Sequence, residues 1–111
     1  MLNQIVLVGR LVKDLEVKDI NETKNAIITL AVSRSFKNAE TGEYDTDFID
    51  CVLWGGIASN TAEYCRKGDI LGVKGRLQND NIVDNDGNIT GETNVVIAEK
   101  VTFLSSKKGD E

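Results

Sequence analysis

The stretch Phe48-Ile49-Asp50-Cys51-Val52-Leu53-Trp54 decides how the rest of the sequence is read. Successive side chains of an extended strand point to opposite sides, so Ile49, Cys51 and Leu53 share one face and Phe48, Asp50, Val52 and Trp54 the other. Both faces carry large apolar groups. A strand over a single core shows polar residues at every second position. This one therefore has either a core on both sides or a second apolar surface that something else covers. The heptapeptide alone favours the first reading, with Phe48 and Trp54 as core residues of a buried central strand.

Upstream, residues 3–12 (NQIVLVGRLV) form an apolar run too continuous for a one-faced sheet and too short for a typical helix. Gly9 in its interior points to a bend, a bulge or close backbone approach. Residues 13–19 read as a short charged extension and 21–25 as a polar turn. The next strand covers 26–35, with Ile28, Leu30 and Val32 on one face. Residues 36–46 read as a loop with Thr41-Gly42 as its turn signal. At the root of that loop Phe36, flanked by Arg34 and Lys37, is either an exposed stacking group beside basic charge or a plug for the strand end.

Downstream, Gly55-Gly56 is expected to end the central strand. Residues 57–67 then carry helical spacing, with Ile57, Ala58, Thr61, Ala62 and Cys65 on one stripe. Arg66 and Lys67 in the last turn and Gly68 just beyond would favour a helix C-terminus. A long strand over 70–82 follows, with Leu71, Val73, Gly75 and Leu77 on one face and a largely polar set on the other. Asn85-Asp86-Gly87-Asn88 is a hairpin signal. The chain returns through 93–98 and 101–104, and 105–111 reads as a short polar tail. Five strands with one helix between the third and the fourth is the element order of the OB-fold, a small partly open all-β barrel.

The chain's 111 residues suit one domain, placed at 1–104. A composition 41% hydrophobic and 28% charged is that of a soluble globular protein, with no run approaching a membrane span and no secretory segment behind Met1. A cytoplasmic location is the default, and no membrane partner is expected. Cys51 and Cys65 belong to no CxxC pair and read as reduced core residues. The absence of histidine removes the usual general base and the commonest zinc ligand. No phosphate-cradling glycine motif or EF-hand loop is present, so neither catalytic residues, a metal nor a cofactor is assigned. A binding protein is expected rather than an enzyme. The net charge of −5 argues against a nucleic-acid partner unless the thirteen basic residues line a groove and the acids sit elsewhere.

The segments NQIVLVGRL (3–11), ITLAV (28–32), FIDCVLW (48–54), AEYCRKG (62–68) and VKGRL (73–77) resemble the bacterial single-stranded DNA-binding protein family, with the same spacing across residues 1–104. The resemblance implies base stacking at the root of the long loop, at both ends of the third strand and in the hairpin after the fourth. Those positions are Phe36, Phe48, Trp54 and Ile82, the last without a ring. The backbone of the nucleic acid is left to Arg10, Lys13, Lys18, Arg34, Lys37, Lys74 and Arg76. The resemblance also implies a homotetramer, built in part through the first strand, acting on single-stranded DNA in replication, recombination and repair.

Three departures from the family pattern stand out. Ile82 replaces an aromatic, and Gln78-Asn79-Asp80-Asn81 replaces a basic approach to the hairpin, so weak binding with a shallow salt dependence is expected. The family's flexible linker and acidic, Phe-ended tip are not seen here. Recruitment of replication and repair proteins is therefore expected only if such a tip exists beyond this sequence, as in a truncated chain rather than a short phage or mobile-element member. The rival readings are an OB-fold protein-interaction module, such as a primosome-like accessory subunit, and a cold-shock-like RNA binder.

Overall fold

In a computed structural model that describes residues 1–105, the central stretch becomes one stave of a closed barrel. The elements are β1 (Ile5–Leu11), β2 (Lys18–Ile20), β3 (Thr23–Lys37), β4 (Tyr44–Trp54), α1 (Gly55–Tyr64), β5 (Ile70–Val83) and β6 (Ile89–Ser105). Strands neighbour one another in the order β1-β5-β6-β4-β3-β2, and a second pairing of β1 to β3 at Arg10↔Ala31 and Leu11↔Leu30 closes the sheet. β4 and β6 pair in parallel at Cys51↔Val96 and Val52↔Ile97, and the other ladders are antiparallel. Apart from the three-residue β2, this is the five-stranded OB-fold barrel that the element order implied, with its helix between the third and fourth long strands.

Inward-facing residues of every long strand fill the barrel: Leu11, Ile28, Leu30, Cys51, Leu53, Leu71, Val73 and Val96, joined by Ala58 of α1. Truncating one of these leucines to alanine costs about 2–5 kcal/mol, a large share of the ~5–15 kcal/mol typical of a folded domain. Both cysteines are free and buried, as expected of small core residues. Burial, then the charge of Asp50, pushes the Cys51 thiol up to about 12. Cys65 is pushed up to about 11 by burial and then Asp69, with Arg66 opposing.

Close approach is the role of Gly9. A Cβ there would lie 2.8 Å from the Ala31 carbonyl oxygen, where β1 crosses to β3. Gly75 is tighter still: a Cβ would run into the Ile97 carbonyl, beside the register shift between β5 and β6. The N-terminus is pinned to β5 by Asn3, whose side chain donates to the Leu77 carbonyl at 2.8 Å and accepts from the Leu77 N–H at 2.9 Å.

Several segments differ from the sequence reading. The helix starts earlier and ends sooner than 57–67: Gly55 is its first residue, at φ +58°, and the chain is extended again at Cys65. Arg66 and Lys67 therefore lie past the helix rather than in its last turn. Arg66 still serves the helix end, because its Nη1 donates to the carbonyls of Ala62, Glu63 and Cys65. The charged extension and polar turn contain β2 and a tight hairpin to β3, with Asn21 and Glu22 both at positive φ (51° and 66°). That is the two-residue connection whose twist matches its strands. Finally, the loop expected at 36–46 is shortened to 38–43 by strand at both of its ends. Asn38 gathers a short turn by accepting from the N–H groups of Glu40 and Thr41 at 2.8 and 3.3 Å. The polar tail begins later than expected, since β6 includes Ser105; the rest of it lies outside the described residues.

Candidate nucleic-acid interface

The β3–β4 register sorts the central stretch into two faces. Ala26, Ile28 and Leu30 lie opposite Leu53, Cys51 and Ile49 on the core side, while Asn25, Ile27, Thr29 and Ala31 lie opposite Trp54, Val52, Asp50 and Phe48. On that second face Phe48 is 68% exposed and Trp54 42%; only Val52 of the four β4 residues is buried. The strand is not buried on both sides. Its two rings, about 20 Å apart at six strand steps, are reachable from outside the barrel.

Trp54 owes its position to the turn after it. Its own backbone is extended at φ −121° and ψ 151°, and the left-handed conformation of Gly55 lets the chain swing straight into α1. A cavity of about 360 Å³ beside this face is lined by Lys13, Asp14, Glu16 and Lys18 from the stretch that leads out of β1 into β2, and by Asn25, Ala26, Ile27, Thr29 and Asp50 of β3 and β4.

Registers across neighbouring strands show which cations share this face. Arg10 pairs with Ala31 and Ala31 with Phe48, which places Arg10 two strands from the Phe48 ring. One Arg10 nitrogen, Nη1, donates to the Gly68 carbonyl at 2.6 Å, leaving further N–H donors in the fork. On the other flank Val52 pairs with Ile97 and Ile97 with Arg76, so Arg76 stands in the same row as Val52. Lys37 pairs with Tyr44, and its Nζ lies 5.8 Å from the centre of that ring.

Two expected contacts fall elsewhere. Arg34 falls in step with the core-facing residues of β3 and not with those opposite Phe48 and Trp54, and its guanidinium is held by Asp47, at 2.9 Å from Nη2 and 3.1 Å from Nε, with Asp45 at 3.8 Å. The hydrogen bond that Arg34 donates to Asp47, and the charge of Asp47, push the Arg34 pKa up, and the same bond holds the Asp47 carboxyl below its ordinary range. Lys74 stands in a row with Val6 and Lys100 beside β1, away from β4. Phe36 is 66% exposed, but it lies within the irregular register between Ser33 and Lys37, where strand alternation no longer dictates its face. Ile82 is 46% exposed near the tip of the β5–β6 hairpin, paired with Gly91. That arm carries Asp80, Asp84, Asp86, Glu92 and Glu99 and no lysine or arginine between residues 77 and 99.

Tyr44 was not anticipated. It is exposed, and its even spacing from Phe48 and Trp54 puts it on the same face of β4. Extending the alternation two residue pairs upstream of Phe48, through Thr46, would have found it. Among the described residues no group of histidine, cysteine and carboxylate side chains gathers to hold a metal ion, and no helix is long and apolar enough to cross a membrane.

Comparison with known proteins bears on this geometry. Residues 2–104 match the single-strand binding protein family. Single-stranded DNA-binding protein B of Bacillus subtilis is 43% identical over 108 residues, covering 96% of this chain and 94% of the relative. Single-stranded DNA-binding protein 3 of Listeria innocua is 47% identical over 109 residues, covering 97% of this chain and 67% of the relative. For single-stranded DNA-binding protein A of B. subtilis the figures are 46% over 110 residues, 98% and 63%. The chain thus spans nearly all of one relative and about two thirds of the others. A closed five-stranded barrel, one helix after the third long strand and a match running almost from end to end lead to one conclusion: the chain belongs to the single-strand binding protein family.

Proposed function

We propose that this protein binds single-stranded DNA largely without regard to sequence and, by covering it, keeps the strand from re-pairing during replication, recombination and repair. The observation that carries the reading is the outward face of β4, where Phe48 and Trp54 remain open beside a cavity walled by Lys13 and Lys18. Bases stack on Phe48, Trp54 and Phe36 and press against Ile82. Arg10, Lys13, Lys37 and Arg76 face the phosphates, with a smaller contribution from Lys74, while the charge of Arg34 is taken up by Asp47 and Asp45. The relatives' names support the ligand, and family membership makes the protein a binding protein rather than an enzyme. The working form is a cytoplasmic homotetramer.

Base–aromatic stacking in single-strand binders, this family included, is worth about 1–3 kcal/mol per base, a figure taken over from such proteins as a class. Four phosphate-facing cations correspond to a log–log salt slope of about −3 per protomer. Trp54 is the only tryptophan, so its fluorescence reports on the platform directly. Titration with oligo(dT) at low salt is expected to quench it, and Phe48→Ala to weaken binding roughly ten- to a hundredfold. Unchanged emission and unchanged affinity would remove the platform from the account. The acidic β5–β6 arm favours a second reading, an OB-fold module that docks a protein. That reading prevails if Phe48→Ala and Trp54→Ala both leave oligonucleotide binding intact while a protein partner is lost.

A further inference from the structure

The outward face of β4 carries a carboxylate in the middle of a surface that has to receive phosphates. Asp50 is exposed between Phe48 and Trp54, and its cross-strand partner Thr29 donates from Oγ1 to Asp50 Oδ1 at 2.7 Å. That bond ties the carboxylate across the ladder instead of leaving it to swing into solvent. Both residues line the cavity beside Asn25, the cross-strand partner of Trp54. Among the described residues Asp50 forms no ion pair, the ion pairs being those of Lys24 with Asp19 and of Arg34 with Asp45 and Asp47. Its remaining lone pairs therefore face whatever enters the cavity.

A carboxylate accepts hydrogen bonds and donates none. Phosphate oxygens and base carbonyls are repelled by it; base N–H groups are not. We propose that Asp50, positioned by Thr29, is a base-selecting residue that favours nucleobases with an exocyclic amino group over thymine and uracil. The inference rests on the single-strand-binding reading above and adds a preference to it. Cytosine presents its N4 amino group, a donor that Asp and Glu accept from in DNA recognition generally. Adenine presents its N6 amino group, and guanine two neighbouring donors, N1–H and the N2 amino group, which one carboxylate meets together. Thymine and uracil offer a single N–H flanked on both sides by carbonyl oxygens, whose lone pairs point at the same carboxylate. Stacking on Phe48 and Trp54 does not make this distinction, because every base has a π-face.

The test compares labelled oligo(dC) and oligo(dU) by fluorescence anisotropy at one salt concentration. The two pyrimidines are the same size and both lack the thymine methyl, so their affinity ratio isolates the amino-for-carbonyl exchange. Asp50→Asn is nearly isosteric, and the general gain from removing a negative charge raises both affinities and cancels in the ratio. Asp50→Ala serves as a second variant with no hydrogen-bonding group at all. The dC-to-dU ratio is expected to be on the order of fivefold higher for the wild type than for either variant. Binding with a ratio unchanged by both substitutions overturns the inference and leaves the single-strand reading standing. Failure of the wild type to bind either oligonucleotide overturns both.

Discussion

Arg34 reads in the sequence as one more cation beside an aromatic, and in the fold its charge is already answered. Asp47 meets it from thirteen residues away in the chain, across a register that the sequence does not announce, and Asp45 lies just beyond. With its pKa held down by that bond, Asp47 keeps the pair closed at neutral pH; the pair opens only as the pH falls through the lowered value. Arg10 and Arg76 have no such carboxylate partner among the described residues. The expected outcome is an ordering. Arg34→Gln leaves oligo(dT) affinity within about twofold and the salt slope unchanged, whereas Arg10→Gln or Arg76→Gln flattens the slope by about 0.7 each. A salt series on the three variants checks it, and equal flattening by all three would return Arg34 to the interface.

Among the elements, the β5–β6 arm departs furthest from what phosphate binding asks for. Its side that continues the Arg76 row carries Gln78, Asp80 and Ile82, and Gln78 spends its amide on Asp80 at 2.9 Å. Replacing the repelling charge and the ringless side chain together, as Asp80→Lys with Ile82→Trp, is expected to raise oligo(dT) affinity at least tenfold and steepen the salt slope by about 0.7. Tight-binding titrations at two salt concentrations measure both, and no gain would show that the strand does not run along this arm. The barrel staves were legible in the sequence because each has the core on one side, which forces alternation in stretches such as 26–32 and 70–75. Where strands project beyond the barrel, as at 33–37 and 44–47, neither face meets a core and the alternation fades into polar residues. That is why residues 36–37 and 44–46 read as part of a loop, and why the pattern does not single out Tyr44. β2 was illegible for a related reason: its three residues are all exposed, and only Asn21 marked the turn.

At the scale of the whole molecule, one surface has no assigned occupant within the chain. Val6 and Val8 project outward from β1, in rows with Lys74 and Gly72 of β5, and Leu104 lies close over Gly72. Pairing with β3 is confined to Arg10 and Leu11, so residues 5–9 are paired on one edge only. An open strand edge beside exposed valines is a template for another copy of the same strand, which is where the proposed homotetramer would join. A net charge of −5 on each protomer opposes that association, and salt relieves the opposition by screening it. The double substitution Val6→Lys and Val8→Lys adds two like charges at the join while leaving the barrel interior untouched. In analytical ultracentrifugation it is expected to sediment as a smaller species than the wild type. Its affinity for long oligo(dT) should drop much more than its affinity for a strand short enough to occupy one barrel, since linked sites gain from effective concentration and single sites do not. If the variant sediments like the wild type, β1 is not the join; if both oligonucleotides weaken equally, the four barrels do not act on one strand.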